Sequence, residues 1–113
     1  KPMKGSRVHV LGVTYKKDIS DARESPALEI LRLLAARGAE TTYTDPYVPE
    51  LEIEGRRMES HRLAPEFLAG RDLALLVTDH RAFDYPELAA HAPLVLDTRN
   101  ALADLGAPNV RKL

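Results

Sequence analysis

Short strand-like runs that alternate with helical or turn-forming stretches are the strongest constraint on this chain. Arg7 to Val13 (RVHVLGV), Asp72 to Thr78 (DLALLVT) and Pro93 to Asp97 (PLVLD) are brief and aliphatic, and Glu40 to Thr44 (ETTYT) is β-branched and aromatic. Runs of this length and make-up read as strands, the aliphatic ones as buried strands. Between the first two lies the clearest helix, Pro26 to Arg37. Ser25 offers an N-cap hydroxyl, and Pro26 suits the first helical position, where its missing N–H has no partner to lose. Ala27, Ile30, Leu31, Leu34 and Ala35 share one face, while Glu29 and Arg32 sit three apart towards water. Gly38 then closes the helix as a left-handed cap. A short helix is expected at Pro65 to Ala69, ended by Gly70. Another should run from the Asp84-x-x-Glu87 capping pattern to about His91. Leu51 and Ile53 alternate with acids ahead of Gly55, which fits a small hairpin within residues 47–60; no element is assigned to residues 101–113. Strands alternating with helices predict an α/β fold. The expected form is a three-layer, Rossmann-like, mostly parallel sheet with helices on both faces and right-handed crossovers.

The chain's 113 residues make one ordinary domain. Sixteen Lys and Arg against 17 Asp and Glu leave a net charge of −1, which lacks the basic excess of a general nucleic-acid binder. No apolar run approaches the roughly 18 residues of a membrane-spanning helix. Cysteine is absent, so this chain has no thiolate nucleophile and no thiolate metal ligand. His9, His61 and His91 share no metal-ligand spacing, and no metal site is expected. The opening Lys1-Pro2-Met3-Lys4-Gly5 resembles a linker, so residues 1–6 are expected to lead in from a preceding domain, with residues 7–113 as the domain itself.

In an open parallel sheet, ligands bind beyond the carboxyl ends of the strands. After the first strand stands Gly12 alone, where a dinucleotide fingerprint would read G-x-G-x-x-G. The segment that follows is long and charged, with Lys16, Lys17 and Arg23 among Asp18, Asp21 and Glu24. It offers cationic side chains in place of a backbone cradle, although on residues alone a solvated charged loop is the plainer reading. Asp45-Pro46 after the second strand reads as a turn. Asp79-His80 after the third reads as a turn at the surface, since no serine or cysteine completes a nucleophilic set. Arg99, after the fourth strand, faces the same crevice as Lys16. A phospho-receiver domain would need an acidic pair where Val13-Thr14 stands.

The string Gly12-x-x-Tyr15-Lys16-x-Asp18-x-x-Asp21-x-Arg23-Glu24-Ser25-Pro26 resembles the signature of the UDP-glucose/GDP-mannose dehydrogenase family in its C-terminal domain. Gly38-Ala39 to Asp45-Pro46, Thr78-Asp79-His80 with Phe83, and Asp97-Thr98-Arg99-Asn100 agree in order, so the likeness covers nearly the whole chain. Within the family, the Tyr15 to Leu28 stretch is most similar to bacterial UDP-N-acetylglucosamine and UDP-N-acetylmannosamine 6-dehydrogenases.

The resemblance implies a UDP-sugar-binding C-terminal domain in an enzyme that oxidises the C6 alcohol of a nucleotide sugar to the uronate with two NAD⁺. It implies that Tyr15, Lys16 and Arg99 contact the substrate and that Arg23 reaches the NAD. That NAD is held mainly by an N-terminal domain, with a central helix used in dimerisation. The family nucleophile is a cysteine in a preceding segment, so this chain contributes no catalytic residue of that kind and is expected to be inactive alone. Cytoplasmic polysaccharide-precursor synthesis, a homodimer or higher assembly, and no nucleic-acid or membrane partner follow from the same likeness. UDP-glucose or GDP-mannose as substrate is an alternative. So is an architectural domain that closes the cleft and contributes to subunit contacts, or a free-standing nucleotide-binding module.

Overall fold

The computed structural model describes residues 4–14 and 25–112. Its main strands are β1 (Arg7–Leu11), β2 (Glu40–Thr44), β5 (Leu73–Leu76), β6 (Val95–Asp97) and β7 (Val110–Lys112). A separate hairpin is made by β3 (Glu50–Ile53) and β4 (Arg56–Glu59). The helices are α1 (Pro26–Ala36), α2 (Pro65–Ala69) and α3 (Tyr85–His91), with one 3₁₀ turn at Ala103–Leu105.

The five main strands lie in the order β2-β1-β5-β6-β7, and every neighbouring pair is parallel. Alternation along β1 sorts the core into two halves. Val10 packs with Ala27 and Leu31 of α1, with Tyr43, and with Val48 and Met58 around the hairpin. Leu11 points the other way, into Leu68 of α2, Leu88 of α3, Leu76 and Val95. The sheet thus carries α1 and the hairpin on one face and α2 and α3 on the other, which is the expected three-layer α/β architecture.

The local signals are realised where short-range chemistry sets them. Ser25 Oγ accepts from the Ala27 N–H at 3.2 Å, with Pro26 in the first turn. Asp84 Oδ1 accepts from the Glu87 N–H at 3.1 Å and starts α3. Glu29 and Arg32 pair on the exposed side of α1, and Gly38 takes φ +87° just past the helix, which stops at Ala36. In the hairpin, Glu54 and Gly55 both have positive φ, the arrangement that matches strand twist in a two-residue turn.

Three differences from expectation have plain causes. Strand β1 stops at Leu11 because Gly12 turns to φ +85° and gives its N–H to Thr44 O at 2.9 Å. Strand β5 is shorter than Asp72 to Thr78, because the Val77 and Thr78 N–H groups both converge on Leu11 O and the ladder ends there. The unassigned tail supplies a fifth strand. β7 lies beside β6, the Val95 N–H donates to Asn109 O at 2.9 Å, and the Asn109 amide donates to Ala89 O and Ala92 O at the end of α3.

A histidine lies inside this core on β1. His9 is fully buried in β1, with Nδ1 at 2.6 Å from Thr42 Oγ1 and Nε2 at 2.7 Å from Thr44 Oγ1. The Thr44 hydroxyl gives its own proton to His61 O at 2.6 Å, so it accepts from the His9 Nε2–H, and the Thr42 hydroxyl donates to Nδ1. Phe67 packs edge-on against the ring. Burial first, then the nearby His61 and Arg71, push the His9 pKa down to about 3. The folded chain therefore excludes a proton that the unfolded chain binds near pH 6.5. The stabilising contribution is complete above that pH and is lost as pH falls towards 3. The chain should lose about 2 kcal/mol of stability between pH 6.5 and 5 from this group alone. Urea unfolding at the two pH values checks this, and a His9→Gln variant should lack that part of the slope.

Candidate functional site

The strand order sets where a ligand can enter. From β1 the chain crosses to β2 on one side, and the next strand of the same sheet, β5, lies on the other side of β1. The carboxyl ends of β1 and β5 therefore flank the topological switch point, where parallel sheets open a crevice. Gly12 to Thr14 and Thr78 to His80 line it. Asp45 at the end of β2 and Asp97 to Asn100 at the end of β6 stand on either side.

Gly12 is required here by close approach. A Cβ at this position would lie 2.4 Å from Thr78 O and 2.6 Å from Thr78 Cβ, and the positive φ disfavours any side chain as well. The glycine thus serves contact between two strand ends.

The polar centre of the edge is Asp45. Its carboxyl group is buried and accepts four hydrogen bonds. Oδ2 takes the N–H groups of Val13 at 2.8 Å and Thr14 at 3.3 Å, together with His80 Nε2 at 2.9 Å. Oδ1 takes the Tyr47 N–H at 2.8 Å, which makes the turn expected of Asp45-Pro46. The carboxylate is occupied by its own chain and does not stand free to hold a ribose hydroxyl. His80 is fully buried, which corrects the surface role expected of Asp79-His80. The cause is the Asp45 carboxylate together with a slot between the Tyr47 and Phe83 rings, whose centroids lie 5.0 Å and 5.4 Å from the imidazole. A carboxylate only accepts, so Nε2 carries its proton; the same nitrogen lies 3.0 Å from Thr14 Oγ1.

Thr14 is thereby held at every polar atom. Its N–H meets Asp45, its hydroxyl meets His80, and its carbonyl accepts from Thr78 Oγ1 at 2.8 Å and Ser25 Oγ at 3.4 Å. Ser25 also caps α1, so the two residues that bracket 15–24 are tied to each other. Three of the expected site residues, Tyr15, Lys16 and Arg23, fall within 15–24, outside the described residues. Arg99 is exposed at the carboxyl end of β6. Asp97 fixes the backbone there, accepting the Arg99 N–H at 3.0 Å on Oδ1 and the Leu102 N–H at 2.9 Å on Oδ2. Asp45, His80 and Thr14 were each visible in sequence, but nothing in their spacing joined them. Among the described residues no group of His, Asp and Glu is arranged to hold a metal ion, and no helix is long and apolar enough to cross a membrane.

Residues 9–104 match the family model described as "UDP-glucose/GDP-mannose dehydrogenase family, UDP binding domain". The chain is 34% identical over 106 residues to a UDP-glucose 6-dehydrogenase of Rhizobium meliloti, covering 87% of this chain and 24% of that enzyme. It is 29% identical over 104 residues to a UDP-N-acetyl-D-mannosamine dehydrogenase of Methanococcus maripaludis, covering 85% of this chain and 23% of that one. Among solved structures, a UDP-D-ManNAc dehydrogenase from Pyrococcus horikoshii superposes with a TM-score of 0.71 at 25% identity, over 99% of this chain and 26% of its own. The chain thus spans about a quarter of the length of the relatives it matches.

The Asp45 arrangement makes a direct prediction. In Asp45→Asn the shape is kept, but the new NH₂ must face at least one of the N–H donors now served by the two oxygens. Loss of about 1–3 kcal/mol is expected, the usual cost of leaving a buried donor unpaired. A fall in the urea midpoint at pH 7 measures it.

Proposed function

Because the chain belongs to the UDP-glucose/GDP-mannose dehydrogenase family, as its UDP-binding domain, we propose that it holds the nucleotide sugar for an NAD-dependent UDP-sugar 6-dehydrogenase. The observation that carries this reading is the family match over residues 9–104, which takes in the whole switch-point edge. The substrate is UDP-N-acetylglucosamine or UDP-N-acetylmannosamine, and the reaction takes its C6 alcohol to the uronate. That change removes four electrons, which two NAD⁺ accept as two hydrides while water supplies the second carboxylate oxygen.

The residues of this chain do not fit the main NAD site. Gly12 is the only glycine from Arg7 to Arg37, and its open face is filled by Thr78, so among the described residues of that turn no backbone cradle for a pyrophosphate is left. The dinucleotide belongs on another domain of the same polypeptide, with Arg23 reaching it across the cleft. The work of this domain is to bind and orient. Lys16 supplies a point charge for the pyrophosphate, and Tyr15 supplies a hydroxyl or a ring face. Arg99 supplies a planar donor pair that suits phosphate or the carboxylate product. The nucleophile comes from elsewhere, since this chain has no cysteine. The enzyme works as a homodimer or a larger assembly in the cytoplasm.

The test uses the full-length dehydrogenase. NADH formation should appear with one of the two N-acetylated UDP-sugars in preference to UDP-glucose. Lys16→Ala should raise the KM for that sugar or cut turnover by about 10- to 100-fold with the fold intact, as for a lost charged hydrogen bond. Turnover unchanged in Lys16→Ala, with altered assembly instead, would make this an architectural domain.

A further inference from the structure

We propose that His80 and Asp45 are positioning residues for the nucleotide sugar, acting through Thr14; the proposal rests on the reading just given. Thr14 immediately precedes Tyr15 and Lys16 in the chain, and Ser25 immediately follows the same segment. A lysine is a point charge on a long flexible stem, so where its charge sits depends on how firmly its backbone is held. At this edge the holding is unusually complete. Asp45 accepts from the Thr14 N–H, the His80 Nε2–H faces its hydroxyl oxygen, and Thr78 and Ser25 donate to its carbonyl. These contacts bring together the ends of β1, β2 and β5 and the cap of α1.

The groups that hold Thr14 are not needed to complete the sheet. Asp45, Thr78 and His80 all lie beyond the strand ladders, and Ser25 lies before α1. A fold that needed only stability at this point would be served as well by apolar side chains, because a buried polar pair gains little over a well-packed hydrophobic one once its desolvation is counted. What the buried carboxylate and imidazole add is direction. Each hydrogen bond fixes an atom of Thr14, and the Tyr47 and Phe83 rings keep the imidazole from turning away. A binding site needs its supporting contacts to hold geometry within a fraction of an ångström, and this network restrains the residue next to the proposed substrate contacts. His80 and Asp45 touch no substrate themselves.

The experiment compares variants of the full-length dehydrogenase by steady-state kinetics with its UDP-sugar and by thermal melting. Thr14→Val keeps the shape of the side chain and removes the hydroxyl that meets His80. It should raise the KM for the UDP-sugar roughly tenfold, with a change in Tm of only a few degrees. Thr14→Ser, which restores the hydroxyl, should return the KM to within about twofold of the parent. His80→Leu should raise the KM at least as far, and His80→Gln, whose amide can still donate near the Nε2 position, should recover part of it. A Thr14→Val enzyme that melts lower but keeps its KM would overturn the proposal, and it decides the matter alone if His80→Leu fails to fold. Lys16→Ala is the internal control. If it raises the KM while Thr14→Val does not, the positioning role fails and the substrate reading stands. If neither variant moves the KM, the substrate reading fails and the positioning role falls with it.

Discussion

A carboxylate removed from water must be met by donors on nearly all sides, and Asp45 meets that requirement at the one place where three strand ends come together. Its four partners come from the turn after β1, its own turn after β2, and the turn after β5. The parallel ladders hold the strands side by side, but they do not decide how the chain leaves them. That is decided by Asp45, by Gly12 pressed against Thr78, and by the His80 ring wedged between Tyr47 and Phe83. The edge is therefore built from the carboxylate outward. Ser60 extends it further, accepting the Asp45 N–H and returning its own hydroxyl to Asp45 O, which fastens the chain after the hairpin to β2.

Much of the fold was legible because its causes are local. The caps of α1 and α3 each lie within three residues of what they cap, and the apolar stripe of α1 is set by its own period. The hairpin was legible at its turn, where Gly55 accepts a positive φ. The tail was not. β7 is three residues long and two of them, Arg111 and Lys112, are charged, so it exists only because β6 and the Asn109 amide give it partners. Its charges also suit an edge strand, where they discourage pairing with another sheet.

The candidate site was legible by residue type and illegible by arrangement. Asp45 is 31 residues from Thr14 and 35 from His80, and Thr14 is 66 from His80. Asp45 and His80 taken singly looked like ordinary turn residues, because each belongs to an aspartate-containing pair after a strand, and aspartate favours turns. Burial separates the two readings, and burial here depends on Tyr47 and Phe83, which sequence leaves equally free to face water. The same holds for His9. A histidine in a strand gives no sign of its protonation, yet burial first, with His61 and Arg71 close by, keeps this ring neutral, and two threonine hydroxyls meet its nitrogens.

The packing of Gly12 bears on how such a domain can recognise phosphate at all. In a dinucleotide cradle, glycines let backbone N–H groups approach the anion directly, and recognition comes from dipoles fixed by the fold. Here the first turn is closed by Thr78, and the N–H groups of Gly12, Val13 and Thr14 are taken by Thr44 O and the Asp45 carboxylate. In the proposed reading an anion brought to this edge is met by side chains, Lys16 and Arg99 among them. Side-chain cations carry full charges but little built-in direction, and lysine least of all. A domain that recognises phosphate in this way gives up the rigidity of the cradle and has to regain it in the residues that hold its cations. On the positioning role proposed for His80 and Asp45, the buried network around Thr14 is where this chain does so.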